Sequence, residues 1–282
     1  MEKFGLAAAA AMLLVTTGAS AQSSGDVTRG AYLVTAVLAC GNCHSPKGPP
    51  EVTAGKDFSG GLSWDEPPFK VTASNITPDK ETGIGNWSEA ELKSFLVTGV
   101  RPNGVPVVPL MPTAYYKALT EQDLDAVVAY IRSIPAVKNR TPPPEYRMPL
   151  QQETPPGAEK QTQASDLADP VKRGNYLATI GHCLECHTPM EQGVHQFSTR
   201  LGAGGREFPG PWGVSVSRNI TSDTAAGIGA WTDDEIRRAI TQGIHRDGSM
   251  LKPPMGYDYY ARMTDQDVDA IVAWLRTLPA KP

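Results

Sequence analysis

Residues 29–33, Arg-Gly-Ala-Tyr-Leu, return at 173–177 as Arg-Gly-Asn-Tyr-Leu. Asn75-Ile76-Thr77 returns as Asn219-Ile220-Thr221, and Gly83-Ile84-Gly85-Asn86-Trp87 as Gly227-Ile228-Gly229-Ala230-Trp231. The shift is 144 positions each time, and it slips to 143 only around one further pair of motifs. Self-similarity at a long fixed period means that one structural unit has been copied. Each copy runs to about 110 residues, enough for a single small core.

The further pair is Cys40-Gly41-Asn42-Cys43-His44 and Cys183-Leu184-Glu185-Cys186-His187. C-x-x-C-H is the attachment sequence of c-type haem. Two thiols three positions apart can each add to one vinyl group of the same porphyrin, and the following His then lies beneath the ring to coordinate iron. The spacing predicts covalent attachment through Cys40 and Cys43, and through Cys183 and Cys186, with His44 and His187 as axial iron ligands. Two covalently bound haem c groups are expected. The competing readings of two C-x-x-C pairs are one four-cysteine zinc site or a redox dithiol. Both pairs are followed directly by His, and all 4 cysteines of the chain are used, which favours haem.

The chain opens with features of an export signal. Lys3 supplies a positive start, Leu6 to Val15 an apolar run, and Ala19-Ser20-Ala21 a small-residue cleavage site. The run is too short to span a bilayer comfortably. A signal peptide over 1–21, cleaved near Ala21, and a periplasmic location are expected. No other apolar stretch is long enough for a membrane helix, so no membrane span is expected. A net charge of -4 with 40% hydrophobic residues describes an ordinary globular chain and excludes a nucleic-acid binder.

Within each copy the pattern is helical, and the expected fold is all-α with long loops. Thr28 to Ala39 has the length and apolar content of a helix leading into the first motif. Ser88 followed by Glu91 reads as a capping box, echoed by Thr232 and Glu235. Leu124, Val127, Val128 and Ile131 fall at helical spacing behind Thr120, and Val268, Ile271, Val272 and Leu275 behind Thr264. Tyr32, Tyr176, Tyr130 and Trp274 are expected where first and last helices cross. Trp87 and Trp231 either close the core or lean on the haem edge. Asn75-Ile76-Thr77 matches a glycosylation acceptor, but a turn role suits Asn better. The division expected is copy one at 26–138, a Pro-rich linker at 139–168 and copy two at 169–282. Such a linker either spaces the copies semi-rigidly or runs along their surface.

The sixth iron ligand decides between electron transfer and chemistry at the metal. Met111 in Pro109-Leu110-Met111-Pro112 and Met255 in Pro253-Pro254-Met255-Gly256 occupy matching places in proline-braced loops. A flexible thioether is otherwise a core filler; the matched position points to ligation. Met190, Met250, Met263, His195 and His245 have no like residue in copy one, and His182 stands too close to its motif to reach the distal face. Arg101 and Arg246 are candidates for pairing with haem propionates. Two irons closed by His and Met would relay electrons and bind no substrate.

The run from Asn75 to Trp87, the helix after it, the turn from Gly99 to Gly104 and the Met loop together resemble the cytochrome c subunits of periplasmic bacterial dehydrogenases for alcohols, gluconate or sorbitol. The resemblance covers each copy. It implies two class I cytochrome c-like domains, a periplasmic or membrane-associated dehydrogenase as electron donor, and a cytochrome, quinone or oxidase of the respiratory chain as acceptor. Those subunits commonly carry three such domains and a membrane-attaching tail, whereas this chain has two, which fits a shuttle or a smaller subunit. The alternatives are a dihaem peroxidase-like enzyme with one open haem and a small dihaem carrier to a terminal oxidase.

Overall fold

The structure, a computed structural model, describes Met1 and residues 24–150 and 152–282. Apart from Met1, the leader expected at 1–21 lies outside the described residues.

Copy one begins with α1 (Ser24–Tyr32), which runs on through one π turn over Leu33–Val37. It continues with α2 (Gly41–His44), α3 (Pro50–Thr53), the strands β1 (Ser63–Glu66) and β2 (Phe69–Thr72), then α4 (Glu89–Thr98), α5 (Thr113–Tyr116) and α6 (Glu121–Ser133). After a short strand β3 (Glu145–Tyr146), copy two follows with α7 (Pro170–Ile180) and α8 (Cys183–His187). The hairpin β4 (Met190–Glu191) and β5 (Val194–His195), α9 (Phe197–Arg200) and the hairpin β6 (Glu207–Gly210) and β7 (Gly213–Val216) come next. Helices α10 (Asp233–Gln242), α11 (Tyr257–Tyr260) and α12 (Asp265–Leu275) complete it.

Local chemistry sets the helix ends. Ser88 caps α4 through both bonds of a capping box: Glu91 N donates to Ser88 Oγ at 3.2 Å and Ser88 N to Glu91 Oε2 at 2.7 Å. Thr232 and Glu235 repeat it on α10. Left-handed Gly99 and Gly243 stop the two helices. The first and last helices of each copy cross very closely. A Cβ on Gly30 would lie 1.9 Å from Ala126 O, and one on Gly174 would lie 1.9 Å from Ala270 O, so only glycine permits these crossings.

The expectation of an all-α chain needs correction, because the described residues include three small antiparallel sheets. The stretch just before each Asn-Ile-Thr motif is too broken by Pro and Gly for a helix. It folds instead as a hairpin, β1–β2 in copy one and β6–β7 in copy two, turning at Pro67-Pro68 and at Pro211-Trp212. In β2, Phe69 and Val71 are buried while Lys70 is exposed, the two-residue period of a half-buried strand. The Pro-rich segment after copy one runs along that copy's surface and adds β3 to β2, pairing Phe69 with Tyr146.

The two copies share one hydrophobic core that includes Leu33, Leu119, Tyr116, Leu177 and Ile180. Their boundary carries a reciprocal polar exchange. Tyr176 of copy two donates to Asp123 Oδ2 of copy one at 2.6 Å, and Tyr32 of copy one donates to Asp267 of copy two. Each carboxylate is also held within its own copy, Asp123 by Arg29 through two bonds of 2.8 Å and Asp267 by Arg173 at 2.6 Å. These tyrosines were expected only where first and last helices of one copy cross; the pairing between copies depends on distant residues, and sequence spacing carries no sign of it.

Candidate functional site

Each Cys-x-x-Cys-His motif forms a single helical turn entered through a left-handed residue. Ala39 has φ 49° and His182 φ 46°, equivalent non-glycine positions immediately before α2 and α8. Such a conformation costs on the order of 1–3 kcal/mol and persists only where the surroundings enforce it. The turn gathers both thiols and the histidine of each motif onto one cavity.

That cavity has a volume of about 990 Å³ and is shared by both copies, at the upper end for sites that take small molecules. Cys40, Cys43, His44, Met111, Cys183, Cys186, His187 and Met255 all line it. The Met loops therefore reach the same space as the motifs, although 67 or more residues separate them in sequence.

Both imidazoles are oriented by the backbone. His44 Nδ1 lies 2.7 Å from Ser74 O, and His187 Nδ1 lies 2.6 Å from Arg218 O. A carbonyl accepts only, so Nδ1 carries the proton and Nε2 is left as a free lone pair. Burial holds both histidines below their ordinary pKa, which keeps them neutral. The carbonyls are placed by the Asn-Ile-Thr motifs. Asn75 Oδ1 accepts from Thr77 N at 2.9 Å and from Thr77 Oγ1 at 2.8 Å, and its amide donates to Val137 O at 2.7 Å. Asn219 repeats this with Thr221 and Lys281 O. Asn75 is 2% exposed, so it acts as a buried brace and not as a glycan acceptor. The motif was legible as a turn; its role behind the histidine was not, since it depends on the fold.

The thiols fit neither competing reading. Burial pushes Cys43 up to about 11 and Cys40, Cys183 and Cys186 up to about 12, whereas a working redox dithiol has a depressed pKa. Among the described residues no cluster of three or more His, Cys, Asp or Glu is arranged to hold a metal ion, so one four-cysteine zinc site is not assembled. An apolar, roomy cavity with two thiols, one neutral imidazole and one thioether per copy fits two porphyrins.

Neighbouring residues separate more clearly than in sequence. Trp87 and Trp231 both line the cavity, edge-on to Phe95 at 5.2 Å and to His245 at 4.8 Å. Arg101 lines it as well, donating to Pro106 O at 2.8 Å, but Arg246 pairs with Glu235 at 3.4 Å. In copy two the lining cations are Arg218 and Lys252, which alignment with Ser74 and Val108 gave no reason to expect. His182 pairs with Glu185 at 3.0 Å, and His195 with Glu153 at 2.6 Å. Across the boundary Asn42 Nδ2 donates to Pro254 O at 3.5 Å, and the Tyr115 ring of copy one stands edge-on to His182 at 6.4 Å, so each motif region abuts the other copy.

Comparison with known proteins agrees with this geometry. The family model described as cytochrome c matches residues 27–135 and 171–279. The chain is 30% identical to the cytochrome c subunit of the quinone-dependent alcohol dehydrogenase of Gluconobacter oxydans, over 98% of this chain and 60% of that protein. It is 30% identical to the gluconate 2-dehydrogenase cytochrome c subunit of Pantoea cypripedii, over 90% of this chain and 60% of the relative. A diheme cytochrome c-type protein of Cereibacter sphaeroides is 30% identical over 91% of this chain and 87% of its own length. The chain thus spans about three-fifths of the dehydrogenase subunits it matches. Among the described residues no helix is long and apolar enough to cross a membrane.

Proposed function

Since the chain belongs to the cytochrome c family, we propose that it is a carrier of single electrons, holding two haem c groups and moving electrons from a partner dehydrogenase towards a respiratory acceptor. When bound, the porphyrin iron supplies one-electron redox chemistry. The chain supplies the rest. Cys40 and Cys43, and Cys183 and Cys186, tether the two groups through thioether bonds. His44 and His187 would offer Nε2 to the iron, oriented by Ser74 O and Arg218 O. Met111 and Met255 would offer their sulfurs to it, and thioether ligation would favour the reduced state. The apolar lining would keep water from the site.

The observation that carries this reading is the convergence of all eight residues on one cavity, with a matched Met in each copy. Matched methionines argue against an open iron and so against peroxidase chemistry. The donor is read as a dehydrogenase of the kind named in the relatives, and the acceptor as a cytochrome, quinone or oxidase, with the protein working in the periplasm. Mass spectrometry of natively matured protein should find two tetrapyrrole adducts. The oxidised protein should show the weak long-wavelength charge-transfer band of Met-to-iron ligation, and Met111→Leu and Met255→Leu should each remove about half of it. A spectrum unchanged by both substitutions would refute the ligand assignment.

A further inference from the structure

The turn after α4 and the turn after α10 share one backbone frame. Arg101 N donates to Val105 O at 3.0 Å, and His245 N to Ser249 O at 2.8 Å. Val100 bridges Pro106 as Ile244 bridges Met250, and Gly104 and Gly248 are both left-handed, with φ 80° and 86°. On this common frame the side chains differ. Where copy one has Arg101 and Asn103, copy two has His245 and Asp247. Arg101 and His245 both line the cavity that the two motifs share. One copy thus sets a permanent cation beside a neutral amide, and the other a titratable ring beside a carboxylate.

Packing explains how His245 is held there. In copy one Phe95 stands edge-on to Trp87 at 5.2 Å. The residue at the Phe95 position in copy two is Ala239, and the His245 ring takes the edge-on place against Trp231, at 4.8 Å. His245 Nδ1 lies 2.9 Å from Asp247 Oδ1, and the Asp247 N–H also reaches it, at a longer 3.4 Å. The carboxylate calls for a proton on Nδ1 and the N–H for a lone pair, so the ring has a partner in either charge state. The Ser249 hydroxyl and N–H, with His245, hold the Asp247 carboxyl well below the usual carboxylate range, so it stays ionised. The other charges around the ring are the Arg246–Glu235 pair at 3.4 Å, Arg238 on α10, and Arg218 and Lys252 on the cavity wall. The Tyr257 ring packs on Gly243. Of these residue types, histidine is the one that ordinarily changes charge between about pH 5 and 8.

We propose that His245 ties electron uptake in copy two to proton uptake, while Arg101 leaves copy one indifferent to pH. The proposal rests on the haem-carrier reading above for the redox group itself. One electron from the donor makes the centre held by copy two more negative by one charge. A proton from solvent then moves onto the His245 ring, to the extent that the added charge favours the imidazolium, and returns to solvent when the electron leaves. Such linkage is reciprocal: the protonated ring raises the electron affinity of copy two by the same factor as the electron raises the proton affinity of the ring. The potential of copy two is therefore highest below the histidine transition, falls as pH rises through it and is level above it. Arginine keeps its charge throughout, so copy one has no such step.

The test is a spectroelectrochemical titration of the haem-loaded full chain at a series of pH values from about 5 to 9. Two one-electron components are expected. One should fall with rising pH by about tenfold in its equilibrium constant, or about 59 mV, and the other should stay level. His245→Arg should make both components level, and Arg101→His combined with Asn103→Asp should make both move. Titration of the His245 ring by NMR in the oxidised and the reduced wild type is a second measurement that needs no variant. Its proton affinity should be higher in the reduced protein by the same tenfold factor. Two level components in the wild type, or one His245 midpoint common to both redox states, would overturn the proposal. So would a moving component that survives His245→Arg, which would place the proton on the cofactor's own carboxylates. Failure of the carrier reading would show separately, as missing haem absorbance or missing reducibility, whereas a loaded, reducible protein with pH-independent potentials refutes the proton linkage alone.

Discussion

Replacing Tyr176 by Phe removes one oxygen atom from the boundary between the copies. Tyr176 is 2% exposed, and its hydroxyl donates to Asp123 Oδ2 at 2.6 Å. Asp123 keeps both bonds from Arg29, so the carboxylate is not orphaned and no cavity of note is left. The main loss is the hydrogen bond to a charged, buried acceptor, worth about 1.5–3 kcal/mol; the long bond that the hydroxyl accepts from Thr120 N at 3.5 Å goes with it. With a guanidinium m-value of about 4–5 kcal/mol/M for a chain of this size, the midpoint should fall by roughly 0.3–0.8 M. Tyr32→Phe should behave similarly through Asp267. The two effects should not simply add, because the Arg29 guanidinium lies 5.4 Å over the Tyr32 ring and so joins the two networks. The double variant should show a coupling of about 0.5 kcal/mol or more. The assay is equilibrium unfolding of the haem-loaded wild type, both single variants and the double variant at neutral pH, followed by fluorescence and by haem absorbance. A loss below about 0.5 kcal/mol for Tyr176→Phe would mean that the hydroxyl does not reach Asp123 in solution, and the account of the boundary would fail.

Two further outcomes follow from the same contacts. Burial and the Asp267 carboxylate push Tyr32 up to about 12, against about 10 in an unfolded chain. A pKa raised by folding contributes stability that is complete below about pH 10 and is lost as pH rises through about 12. Unfolding free energy should therefore drop across that window, and Tyr32→Phe should make the drop shallower; an identical slope in wild type and variant would contradict it. At the helix crossing, Gly30→Ala would set a Cβ 1.9 Å from Ala126 O and 2.7 Å from Tyr130 Cβ. The forced separation of α1 and α6 should cost about 1–3 kcal/mol or more, read as a lower thermal midpoint, and a midpoint equal to wild type would refute the close crossing.

Much of the architecture could be read from residues alone where the signal was local. Ser88, Thr232, Thr120 and Thr264 mark helix starts because a cap is a contact within three residues. That Met111 and Met255 share a cavity with the two Cys-x-x-Cys-His motifs could be anticipated because the repeat supplies an internal comparison. The hairpins escaped notice because Pro67-Pro68 and Pro211-Trp212 interrupt short segments whose alternation is clear only over Phe69 to Thr72. Ser74 O and Arg218 O could not be foreseen, since any residue offers a carbonyl and only the fold brings it to the histidine. The same holds for Tyr32 and Tyr176, whose partners lie 235 and 53 positions away.

Tyr32 reaches Asp267, while its equivalent Tyr176 reaches Asp123, the equivalent of Asp267. A contact in which residue i meets j and j meets i is what a rotation axis imposes on two identical subunits. The two halves of one polypeptide here meet across the kind of isologous face that a homodimer has. A single-copy domain bearing this Tyr and this Asp is expected to pair with itself, and a strictly monomeric one would contradict this reading of the face. Within one polypeptide each half meets the other at permanent high local concentration, so the face forms without a free partner.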